Sequence, residues 1–264
     1  MAALDFPVDR LIPQREATLS EVLDAGFALF RRSLIGCLPL SLLAVLLGQL
    51  PSVYLISTRQ SLAFGEPKDS IWWVLMLCSA IGTLWCWLAL MLRQRAALIA
   101  PVDRYRTTAD LMIALQRLPS ALVTMAVGVI VVALGLLALV VPGIYLLVAF
   151  WPALALVVFE SAGPRAALDG ALQLARGAWR HLAVTLLVVV MTLLGLFVIG
   201  SLVGLVFVQL WQPDASGGEG WVTSLVTGVL SAVFQPLFIA FGLAAYADLR
   251  RRRGQDSSSA SNSA

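Results

Sequence analysis

Residues 142–181 read PGIYLLVAFWPALALVVFESAGPRAALDGALQLARGAWRH, and the order of their parts decides the fold. An uncharged apolar run, Ile144–Phe159, leads into the acidic corner Glu160-Ser161-Ala162-Gly163-Pro164 and then into an amphipathic stretch. With its flanks the apolar run sits near the lower limit of about 17 residues for a transmembrane helix. Pro164 suits a first helical turn, where its missing N–H costs nothing. Leu168, Ala171, Leu172, Ala175 and Trp179 form the expected apolar stripe of the helix that follows. Arg165, Asp169, Gln173, Arg176 and Arg180 form its polar face. Pro142-Gly143 reads as a tight turn before the span. One span, one corner and one interfacial helix in succession are the parts of a membrane bundle.

Composition supports that reading throughout the chain. Of 264 residues, 60% are hydrophobic and 12% charged, and the mean hydropathy is +0.91. Soluble domains carry about 25% charged residues. The net charge of +3 comes from arginines beside apolar runs, so it sets topology and does not mark a nucleic-acid surface. Cys37, Cys78 and Cys86 all fall within apolar runs, which favours packing over disulfides or a metal. His181, the single histidine, is expected to be a polar interface residue. No cleavable signal peptide is evident, because the first apolar run begins only at Leu34. Arg31 and Arg32 stand where a lipobox before Cys37 would need apolar residues.

The remaining spans follow by the same criterion. They are expected at Leu34–Ile56, Ile71–Leu92, Ala121–Val141, Leu182–Leu210 and Trp221–Tyr246. Residues 1–17 are expected to be flexible and extended, residues 18–253 a single membrane domain, and the Ser-rich residues 254–264 disordered. Sixteen of the eighteen arginines and lysines lie on one side of this arrangement, Arg59 and Lys68 being the exceptions. The positive-inside rule then makes both termini cytoplasmic in a cell inner membrane. The fold class is all-α, a polytopic bundle of six transmembrane helices with three cytoplasmic interfacial helices.

Those three helices share a pattern. Leu23-Asp24-Ala-Gly-Phe27-Ala-Leu29-Phe-Arg31 aligns with Ala109-Asp110-Leu-Met-Ile113-Ala-Leu115-Gln-Arg117 and with Leu168-Asp169-Gly-Ala-Leu172-Gln-Leu174-Ala-Arg176. Each precedes two spans, giving units at about 18–92, 107–160 and 164–247. The shared acid and base complement the helix dipole. Alternatively, Asp24–Arg31, Asp110–Arg117 and Asp169–Arg176 form a ring that pairs between copies and docks a partner. Thr18-x-x-Glu21 is a capping box that opens the first of them.

Chemistry within the membrane is sparse. No charged residue lies well inside an expected span, which weighs against an ion-coupled carrier. Pro39, Pro51, Pro152 and Pro236 interrupt spans. The last two free the carbonyls of Val148 and Ala232, and Gln235 is placed to satisfy one of them. Gly200-x-x-x-Gly204 permits close packing within the bundle. No nucleophile elbow, phosphate loop or metal motif occurs, so no catalytic, cofactor or metal residue is assigned.

Several short motifs together resemble a known family. They are Pro142-Gly143-Ile144-Tyr145, Glu160-x-x-Gly163-Pro164-x-x-Ala167-Leu168 and Tyr246-x-Asp248-Leu249-Arg250-x-Arg252. Glu21-Val22-Leu23-Asp24 with Phe27, Phe30 and Arg31-Arg32 belongs with them. The chain resembles the bacterial six-span membrane proteins grouped with the membrane domain of glycerophosphoryl diester phosphodiesterases. That resemblance implies the fold and not the activity, since a catalytic barrel needs about 250 residues of its own. It also implies a cytoplasmic-face cluster of Glu160, Asp248 and Arg250, to which Gln235 is added from the proline argument.

Three functions are therefore expected in descending order. A non-enzymatic scaffold or accessory protein, with membrane lipid and a membrane or cytoplasmic protein as partners, should expose a docking surface. A small transporter for an apolar or amphipathic solute should open a polar cavity at Pro152 and Pro236. A lipid-modifying enzyme should gather titratable groups on one face.

Overall fold

The computed structural model describes residues 4, 6–13, 17–58, 68–99, 107–176, 178–211 and 221–262. Gln212–Gly220, most of the loop after Ser57, and Arg15, Arg59, Arg104 and Arg106 lie outside the described residues. A short helix α1 (Val8–Leu11) precedes α2 (Leu19–Ser57), α3 (Ser70–Ile99) and α4 (Thr107–Ala138). Then come α5 (Val140–Phe150), α6 (Ala153–Phe159), α7 (Pro164–Ala175), α8 (Trp179–Trp211) and α9 (Trp221–Asn262). Among the described residues there is no strand, and six helical segments are long and apolar enough to cross a membrane. The chain is an all-α, multi-pass membrane bundle.

Three boundaries differ from the sequence reading. The first two interfacial helices are not separate elements, because α2 and α4 run unbroken through them into the spans that follow. No residue between Arg31 and Leu34, or between Arg117 and Ala121, supplies a stop, and Pro119 is carried inside α4. Only α7 stands as a helix by itself. The turn expected at Pro142-Gly143 lies earlier, at Leu139, whose extended backbone (φ −160°, ψ 137°) separates α4 from α5. Pro142 then falls in the first turn of α5, where it is tolerated. The Ser-rich end, expected to be disordered, continues α9 as helix to Asn262.

Proline acts at Pro152 as anticipated. The fourth span breaks there into α5 and α6, and the Trp151 N–H turns onto the Val148 carbonyl at 3.3 Å, replacing the bond that Pro152 cannot make. Thr18 and Glu21 form the capping box: Thr18 N–H donates to Glu21 Oε2 at 2.8 Å, and Glu21 N–H to Thr18 Oγ1 at 3.4 Å.

Packing is uneven along the bundle. α2 lies between α3 and α9, α4 packs on α3 and α5, and α8 lies on α9 and touches α5, which closes the ring. The window of the sixth span is 50% buried, but those of the third and fifth only 17%, so α9 is the central mast and α4 and α8 are peripheral. Nearly all the buried core gathers at the arginine-bearing end, around Leu29, Leu90, Phe159, Ala171 and Tyr246. At the opposite end long apolar side chains such as Leu137, Val141, Ile199 and Leu202 face outward, as lipid contact requires.

The α4–α5 corner depends on two glycines. A Cβ on Gly143 would lie 2.6 Å from the Leu136 nitrogen, and one on Gly135 would lie 3.1 Å from Gly143 Cα. A Cβ on Gly195 of α8 would meet nothing within 4 Å. Gly143→Ala should therefore destabilise the detergent-solubilised protein by about 1–3 kcal/mol, read as a lower thermal midpoint. Gly195→Ala should be neutral or stabilising by up to about 1 kcal/mol. Equal effects would show that the corner is not a close crossing.

Candidate functional site

The arginine-bearing end carries a layer of polar contacts, and the N-terminal segment crosses it as a strap. That segment, expected to be flexible, is pinned at each described part. Leu4 N–H donates to the Phe159 carbonyl at 2.7 Å, at the end of α6. Phe6 is buried between Phe159 and Tyr246, with ring centroids 4.9 and 5.8 Å away. Arg10 donates to the carbonyls of Leu98 (2.8 Å) and Ile99 (3.1 Å), which the end of α3 leaves without helical partners. Ile12 and Ala17 are buried as well, and Asp9 pairs with Arg251. An extended segment stays bound where it offers two large apolar side chains to pockets and satisfies a helix end, and this one does both.

Asp248 of α9 holds the strap's far end. Its carboxylate is 2% exposed and accepts bonds from the Ala17 N–H (3.3 Å) and from Arg252 Nε (2.8 Å). Arg252 in turn donates to the Ala17 carbonyl at 2.8 Å. His181, at the start of α8, brings Nε2 to 3.2 Å from the same carboxylate. Beside this group Tyr246 Oη donates to Glu160 Oε1 at 2.8 Å, and Arg250 Nε lies 3.8 Å from the same oxygen.

A second charged cluster ties α3 to α4. Arg93 is 2% exposed, lies 3.0 Å from Asp110 and donates to Thr107 Oγ1 at 2.5 Å. Charged residues are thus present inside span helices after all, because α3 continues to Ile99 and α4 begins at Thr107. The buried Arg93 thus has an opposite charge at contact distance, as a desolvated charge requires. Next to it Gln94, fully buried, donates through Nε2 to the Pro236 carbonyl at 2.6 Å.

Of the four residues expected to cluster, Glu160 and Arg250 meet through Tyr246, and Asp248 lies within one turn of them on α9. Gln235 does not join them. It lies thirteen residues back along α9, about 20 Å at helical rise, and its buried Oε1 has no hydrogen-bond partner among the described residues. Gln94 bonds the carbonyl of Pro236 itself, not the Ala232 carbonyl that the proline frees. The repeat pairs are also rearranged. Asp110 meets Arg93, and Asp169 lies 3.8 Å from Arg165 on the same exposed face. Arg117 is buried, whereas Asp24, Arg31 and Arg176 are exposed. On α7 the buried stripe is Ala167, Ala171, Leu174 and Ala175, with Leu168 and Leu172 half-buried, one step round from the expected set.

Among the described residues no group of three His, Cys, Asp or Glu side chains is placed to hold a metal. The cavity at this end, about 350 Å³, is a shallow one lined by Phe6, Pro7, Val8, Asp9, Arg250, Arg251 and Gly254. Its charges are already paired across the strap.

Phe6→Ala should free the strap, because a buried aromatic truncation removes about 3–5 kcal/mol of packing. Limited proteolysis should then cut between residues 4 and 18 at least tenfold faster than in the parent, while the spans remain protected. An unchanged cutting rate would show that Phe6 does not hold the segment. No protein-family model, curated protein or solved structure matches this chain.

Proposed function

We propose that this chain is a non-enzymatic accessory or scaffold protein of a bacterial inner membrane, acting on lipid or envelope organisation from its arginine-bearing face. In this reading that face is cytoplasmic, since cytoplasmic loops retain Lys and Arg. The observation that carries the proposal is the filling of the bundle where a carrier would hold its solute. Between the Pro152 break and Pro236, Trp151 and Trp87 pack on Phe238 at 6.3 and 5.7 Å. A Cβ on Gly26 would lie 2.4 Å from the Phe241 ring, so α2 and α9 are in backbone-close contact there. Broken helices that carry solute place polar groups around an accessible midplane site. An aromatic seal supports a bundle that packs and presents a surface.

The titratable groups at the arginine-bearing end support the same reading. Asp248 is covered by the strap, and its bonds go to the chain's own backbone and to Arg252. A general acid or base needs a substrate within hydrogen-bond reach. A carboxylate at this depth serves as an anchor.

One observation favours the second reading, a carrier for a small amphipathic solute. Ser41 Oγ, Gln94 Oε1 and Gln235 Oε1 are buried without hydrogen-bond partners among the described residues, on the three mutually packed helices α2, α3 and α9. A buried polar atom without a partner costs free energy that hydrogen bonding to a polar solute would offset.

Three measurements test these statements. Native mass spectrometry of the protein in mild detergent should retain lipid or a partner protein at fixed stoichiometry. Saturable solute flux into proteoliposomes, lost in Gln94→Leu, would displace the scaffold by the carrier. For orientation, in a background lacking Cys37, Cys78 and Cys86, a cysteine at Ser216 should label from outside and one at Ser257 only from inside. The reverse pattern would invert the topology.

A further inference from the structure

Five arginines at the basic end are paired with acids of the chain itself. Arg93 meets Asp110, Arg165 meets Asp169, Arg250 meets Glu160, Arg251 meets Asp9 and Arg252 meets Asp248. The corner between α7 and α8 gathers cations that lack such a pair among the described residues, as do the exposed Arg31 and Arg32 of α2. Arg176, which ends α7 in extended conformation (φ −63°, ψ 127°), is exposed, and so is Arg180 in the first turn of α8. Among the described residues neither has an acidic partner. Arg253 reaches the same corner from α9 and donates to Gln173 Oε1 at 2.7 Å, a neutral partner that leaves its charge uncompensated.

The surface below the three cations is apolar. Arg180, Val184, Leu187 and Met191 follow one another at spacings of four, three and four, which places them on one helical face. All four are exposed, so a charged head sits directly above an uncovered apolar strip. Between the arginines Trp179 fixes the level. Its ring stacks on Tyr145 at 5.5 Å and its Nε1 donates to the Tyr145 carbonyl at 3.4 Å. Trp and Tyr pairs of this kind mark the depth of the headgroup region.

We propose that the α7–α8 corner binds an anionic phospholipid, its phosphate held by Arg176, Arg180 and Arg253 and an acyl chain lying along Val184, Leu187 and Met191. Guanidinium groups match phosphate oxygens with paired, charge-assisted hydrogen bonds. The apolar strip selects a membrane lipid over a soluble phosphate, which would leave that strip unused. The inference rests on the lipid-linked reading above and names its ligand. A transported solute would overturn that reading and leave the lipid preference standing, so the two fail separately.

The test uses the full-length protein in vesicles of phosphatidylcholine, with and without phosphatidylglycerol, followed by native mass spectrometry of retained lipid. The parent should retain phosphatidylglycerol in preference to phosphatidylcholine. Each basic residue at a membrane surface contributes about fivefold, so the triple variant R176Q/R180Q/R253Q should reduce the preference by roughly a hundredfold. All three side chains are exposed, and helix content and elution volume should not change. Arg165→Gln, whose charge is already paired, should alter the preference less than about twofold. Rising ionic strength should release the lipid from the parent, a readout independent of any variant. Equal retention of the two lipids, an unchanged preference in the triple variant, salt-insensitive retention, or displacement by inorganic phosphate would each overturn the proposal.

Discussion

Removing a carboxylate from water inside an apolar bundle costs several kcal/mol unless donors surround it, and Asp248 sits under that constraint. Its donors come from parts of the chain that are far apart, Ala17 before α2 and Arg252 one turn on along α9, and His181 at the start of α8 lies 3.2 Å away. Satisfying one buried group therefore fixes the entry to the first span, the register of the last and the start of the fifth together. The strap across the arginine-bearing end is held to the same point by Arg252 and the Ala17 carbonyl. Tyr246, two residues earlier on α9, extends the arrangement to Glu160 and hence to the end of α6.

This explains why the core is crowded at one end. Lipid tails are as apolar as leucine, so helices gain little from apolar contact with one another there. Polar and aromatic contacts must supply the specificity, and they cluster where Arg93, Asp110, Glu160 and Asp248 lie. Further along, α8 rests on α9 through Gly200, whose Cβ would come within 2.6 Å of Leu230, and otherwise meets lipid. The bundle is tight where it is polar and open-faced where it is not.

The six spans were legible because each is a long uncharged run, and the break at Pro152 because proline removes a donor whatever surrounds it. The capping box at Thr18 and Glu21 was equally local. What stayed hidden depends on tertiary contact. Phe6 and Arg10 lie in a short mixed segment, and nothing nearby signals that Phe159 and Tyr246 wait for the one and the end of α3 for the other. Arg93-Gln94-Arg95 reads as the charged end of a span, and only the position of α4 turns Arg93 into a buried partner of Asp110. The repeat pattern allowed pairs between copies, but its first two helices merged with their spans; Asp110 meets Arg93, whereas Asp24 and Arg31 are exposed. Gln235 was chosen by its distance from a proline, while Gln94, from another helix, bonds the carbonyl of Pro236 itself.

The strap also bears on how the chain is made. Ala17 and Asp248 are separated by 231 residues, yet each supplies what the other needs. A chain emerging from the ribosome must insert five spans before Tyr246 and Asp248, the last partners of its N-terminal segment, exist, although α3 and α6 already offer partners to Arg10 and Leu4. Until then Phe6 lacks the second of its two ring partners, on a segment of the kind that chaperones and proteases recognise. Locking of the strap therefore follows insertion of α9 and reports that it succeeded. A molecule with a missing or inverted last span keeps an open, cleavable end, so assembly carries its own seal of completion.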